Sequence, residues 1–110
     1  MKYESYTAKD WLNVKNHLIE QQEAILSEAH TAFEFMQDGY MEYDKYSELR
    51  EKLYAAKDEI GEMYKACELM VQAKRPNCGP FGQHKPEITS AQEKLANKAA
   101  YWYETGAKSI

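Results

Sequence analysis

Carboxylates are the first residues in this sequence whose spacing could do chemistry. Glu20 and Glu23 stand three apart, as do Glu59 and Glu62, and residues at that spacing share one side of a helix. Two such pairs on neighbouring helices could hold Mg²⁺, a hard cation that prefers carboxylate oxygen. Direction argues against it within one chain. At ~100° per residue, Glu20 points about 160° away from the apolar stripe centred on Gln22, and Glu62 points away from the apolar seam of its own helix. Carboxylates on opposite outer faces share an ion only if a second copy brings them together. The expectation is therefore solvated surface acids.

The thiols and imidazoles offer less. Cys67, Cys78 and His84 match no structural zinc spacing and lack a fourth ligand. Cys67 falls at an apolar heptad position, where a small buried hydrophobe is the ordinary reading. Cys78 as a nucleophile would need His84 as base and a third group to orient it, and none is evident. His17 and His30 read as surface or interface residues. No catalytic, cofactor-binding or metal-ligating residue is expected.

Composition bounds the rest. The chain has 110 residues, 44% of them hydrophobic, a net charge of −4 and a pI near 5.4. That balance argues against a basic, phosphate-tracking surface, so direct nucleic-acid binding is not expected. Residues 8–38 hold six acids against Lys9 and Lys15, a local excess that an acidic DNA mimic would use. No apolar run approaches the ~20 residues of a membrane span. Nothing at the N-terminus reads as a secretory signal. With two cysteines and no disulfide framework, the expected compartment is the cytoplasm.

The elements that must position these residues are helices. Thr7 and Asp10 form a variant capping box, with Tyr6 and Trp11 at the staple positions. Apolar pairs then recur seven apart, at Trp11/Leu12, Leu18/Ile19, Ile25/Leu26 and Ala32/Phe33, until Gly39 supplies a stop. This predicts a helix over 8–38. Tyr46, Leu49, Leu53, Ala56, Ile60, Met63, Cys67 and Met70 fill consecutive a and d positions, predicting a second helix over 44–74, capped by Asp44 or Ser47 and stopped by Pro76. The segment from Pro76 to Ile88 reads as a long Pro/Gly-rich loop. A third helix over 90–105 starts at Ser90, whose Glu93 completes a capping box. Ile88, Leu95, Ala99 and Trp102 line its buried side, and Gly106 ends it.

The expected fold is one all-α domain: a long antiparallel hairpin with a shorter third helix, a three-helix arrangement that a second copy could complete. Paired hairpin positions sum to about 82, which sets Phe33 on Leu49, Ala29 on Leu53 and Leu26 on Ala56. The third helix is expected alongside the first and in the same direction, placing Trp102 against Gly61. Being half as long, it leaves the distal hairpin uncovered. That half carries Phe33, Phe35, Met36, Tyr40, Met41, Tyr43, Tyr46 and Tyr54, side chains of types enriched at interface cores.

The expected function is a small non-enzymatic interaction module, an adaptor, inhibitor or regulator, using that aromatic end to bind a protein partner or a second copy of itself. The Glu pairs resemble the E-x-x-E and E-x-x-D pairs of all-α nucleotide pyrophosphatases, and that resemblance implies the alternative of a dimeric Mg²⁺-dependent nucleotide hydrolase. The acidic DNA mimic is the third reading.

Overall fold

A computed structural model describes residues 3–75 and 87–106. It contains α1 (Ala8–Gln37), α2 (Tyr43–Lys74) and α3 (Ser90–Thr105). The loop residues 76–86, with Cys78 and His84, lie outside the described residues. Among the described residues, no helix is long and apolar enough to cross a membrane.

α1 begins as its sequence dictates. The Thr7 side chain accepts from the Asp10 N–H at 3.2 Å, and the Asp10 carboxylate accepts from the Thr7 N–H at 2.9 Å. Tyr6 packs on Trp11, ring centroids 5.1 Å apart, and the buried Tyr3 completes an aromatic cap over this end. At the far end Gly39 takes φ +83°, a conformation that only a residue without Cβ adopts at little cost. The Tyr40 N–H donates to the Phe35 carbonyl and the Gly39 N–H to that of Met36. With the Phe35 and Tyr40 rings in edge contact at 6.4 Å, this is a Schellman motif with its hydrophobic clasp.

α2 starts one residue earlier than expected. Glu42 is its N-cap and makes no side-chain cap bond, so neither Asp44 nor Ser47 caps it. α3 uses Thr89 and Gln92 for its capping box rather than Ser90 and Glu93. The segment Thr-Ser-Ala-Gln-Glu contains both boxes at the required spacing, so sequence alone leaves the frame open.

The hairpin is antiparallel, but its register differs from the expected one by about a helical turn. Phe33 meets Tyr46 at 6.0 Å, the Gln22 amide donates to the Lys57 carbonyl at 3.4 Å, and the Lys15 ammonium lies 4.8 Å from the Tyr64 ring. Each of these pairs sums to 79. The connection keeps its expected length of five residues but starts one residue earlier, since α1 ends at Gln37 and α2 begins at Tyr43, which accounts for two of the three residues of the shift.

The direction of α3 is the larger correction. Lys98 pairs with Glu59 midway along α2, while Glu104, six residues later, accepts from the hydroxyl of Tyr6 ahead of α1. α3 therefore runs toward the end where α1 starts, antiparallel to α1. The twelve peptide steps from Arg75 to Glu87 can reach about 40 Å, enough to return the chain up the bundle before α3 begins. Ala96, Ala99 and Ala100 are fully buried, and their small side chains let α3 lie close against its neighbours. Trp102 is buried as expected but does not reach Gly61. Among the described residues outside α2, only the Gln22 side chain lies within 4 Å of a Cβ placed there.

The core occupies one half of the hairpin. Trp11, Val14, Leu18 and Ile25 of α1 face Leu53, Ala56, Ile60, Met63, Cys67 and Met70 of α2, all buried. Beyond Ile25 only Ala32 of α1 is buried, and before Leu53 no residue of α2 is. Burial holds the Cys67 thiol neutral, raising its pKa to about 12.

Candidate interaction surface

The distal half of the hairpin divides into two apolar surfaces, and helix geometry fixes which residue belongs to which. Residues two apart on a helix point roughly 200° from each other, and residues eighteen apart point the same way. His17 and Phe35 thus share one face of α1, while Ile19 and Phe33 look out on the opposite one. The first is the face that α3 reaches, since the Tyr103 and His17 rings meet edge to face with centroids 5.7 Å apart.

On the α3 face an open groove of about 750 Å³ begins at His17 and Gln21 and follows α1 to Phe35, with Met41 and Leu49 across from it. Its floor is the buried Ile25 and Ala32, with the exposed Ala24 beside them. Its rim carries Glu20 and Glu28, neither of which is held in an ion pair among the described residues. The entrance is shaped by the buried Gln21, whose amide lies 2.7 Å from His17 Nε2. Phe35 and Tyr40 flank the far end, and Tyr40 is 83% exposed.

On the opposite face Phe33 packs on Tyr46, which touches Tyr43 at 6.4 Å. Tyr54 stands further along α2, its ring carrying the Arg50 guanidinium at 4.9 Å and the Lys57 ammonium at 5.8 Å. The eight expected interface residues are therefore not one patch. Phe35, Tyr40 and Met41 belong to the groove face, and Phe33, Tyr43, Tyr46 and Tyr54 to the other. Met36 and Tyr46 are half-buried. Sequence reading missed Ala24, Thr31 and Leu49 as groove residues; the seven-residue spacing of His17, Ala24 and Thr31 was the signal that could have found the first two.

The glutamate pairs do not converge. Glu59 is engaged by Lys98 and Glu62 by Lys65 at 3.4 Å, while Glu20 lines the groove. No group of three or more His, Cys, Asp or Glu side chains is placed to hold a metal ion among the described residues. His30 pairs with Glu34 at 3.0 Å on the surface.

No protein family, curated protein or solved structure matches the chain.

Proposed function

We propose that this chain is a small helical interaction module whose distal groove takes a helix from a partner protein. The observation that carries the reading is the groove itself. It is apolar along its floor, about 27 Å long from His17 to Phe35 at 1.5 Å per residue, and left open by α3. Exposed apolar surface of this kind marks interaction sites, and an amphipathic helix laid in an apolar groove is a recurring mode of recognition. Glu20 and Glu28 on the rim favour a partner helix flanked by Lys or Arg.

The test is affinity capture with three forms of the protein. A partner retained by the wild type and by an Ile19→Lys variant, but lost from Phe35→Ser/Met41→Ser, supports the reading if tiled peptides of that partner bind through a basic amphipathic segment. Partners that ignore the Phe35/Met41 change, or that bind through an acidic segment, overturn it.

A further inference from the structure

The face opposite the groove carries a second apolar stripe. Leu12, Ile19, Leu26 and Phe33 follow one another at seven-residue intervals and are 37–45% exposed. Heptad spacing is the pattern of a helix that packs along another helix, and the heptad partners Trp11, Leu18, Ile25 and Ala32 already fill that role within the chain. α2 shows a different relief on the same face. Gly61 sits in mid-helix between Tyr54 and Tyr64, in an open depression lined by Gln22, Lys57, Asp58, Glu59, Glu62 and Lys65. A glycine inside a helix costs about 1 kcal/mol relative to alanine. No close packing among the described residues requires it, because the nearest of their atoms to an added Cβ is Gln22 Nε2 at 3.7 Å.

We infer that this face is a twofold contact between two copies of the chain, with α1 of each copy lying on α2 of the other. A half-turn about an axis parallel to the helices preserves level along the bundle while exchanging α1 for α2. By the hairpin register, Ile19 stands level with residue 60, so it enters the depression at the partner's Gly61. Leu26 then meets the partner's Tyr54, and Glu23 of α1 comes level with the partner's Lys57. Knob and hole lie on one face at one height, an arrangement useful only when the chain meets itself with its helices exchanged. The stripe from Leu12 to Phe33 is about 32 Å long. Across two helix widths it offers roughly 600 Å² per copy, at the lower edge of what stable interfaces bury. This surface is separate from the groove, and either can fail without the other.

The test combines sedimentation equilibrium with directed cross-linking of the full chain. The wild type should be a dimer. Ile19→Lys, a change at a partly exposed position that leaves helicity by circular dichroism intact, should weaken the dimer about 30-fold or more, the scale of losing an interface hot spot. Phe35→Ser should leave it unchanged. In a Cys78→Ser background, mixing Ile19→Cys with Gly61→Cys should give a disulfide-linked species containing one of each. A monomeric wild type, a dimer indifferent to Ile19→Lys, or Ile19→Cys cross-linking to itself as readily as to Gly61→Cys overturns the inference.

Discussion

Gln22 of α1 leans over Gly61 of α2, its Nε2 3.7 Å from the point where a Cβ would stand and 3.4 Å from the Lys57 carbonyl to which it donates. That separation is an ordinary van der Waals contact, so the helix can accept a methyl group there. Gly61→Ala should stabilise the isolated chain by about 0.5–1 kcal/mol through helix propensity and reduced freedom of the unfolded state. Urea unfolding at high dilution measures it. A loss of stability would mean that Gln22 cannot yield.

The two halves of the hairpin should respond differently to truncation. Leu53 is fully buried while Tyr43 is 68% exposed. Leu53→Ala should cost about 2–5 kcal/mol, as large-to-small changes in a packed core do. Tyr43→Ser should stay within about 0.5 kcal/mol. Equal costs in chemical denaturation would show that the distal half is as firmly packed as the proximal one.

The start of α3 can be read by single substitutions. Thr89 supplies the cap oxygen to the Gln92 N–H, so Thr89→Ala should cost about 1 kcal/mol. Ser90→Ala should be nearly neutral, since alanine is a good helix former at a first helical position. The reverse order in thermal unfolding would restore the Ser90/Glu93 box.

Alkali should destabilise the fold through Cys67. Its pKa is raised by burial from 9.0 to about 12, so above pH 9 the unfolded chain loses a proton that the folded chain keeps. The stabilising contribution is complete below pH 9 and is lost as pH rises toward 12, with a slope approaching about 1.4 kcal/mol per pH unit. Cys67→Ala should flatten this limb of the stability profile. Tyr6 adds to it in the same direction, because burial and the hydrogen bond to Glu104 hold its phenol protonated. An unchanged alkaline slope in Cys67→Ala would contradict the burial of the thiol.

The helices were legible in the sequence because their signals are local. The Thr7/Asp10 box, the Gly39 stop and the heptad run from Leu53 to Met70 each act within a turn or two, and the structure shows all of them. The direction of α3 was not legible, because it depends on how far the connection after Arg75 travels, and length alone permits either course. The same limit applies to the candidate surface. The sequence concentrates aromatic residues at the hairpin end, but whether Phe33 and Phe35 cooperate depends on two steps of helical rotation and on which face α3 occupies. Tyr40 illustrates a further ambiguity, since its contact with Phe35 serves the Schellman turn as well as the surface.

The most direct measurement is site-specific photo-cross-linking in the native host from Thr31, which lines the groove, with position 94 on α3 as the control. The groove reading predicts one discrete adduct to a different protein from position 31 and none from position 94, with the cross-linked segment mapping to a basic amphipathic helix. Adducts only between copies of this chain, or the same adducts from both positions, would contradict it.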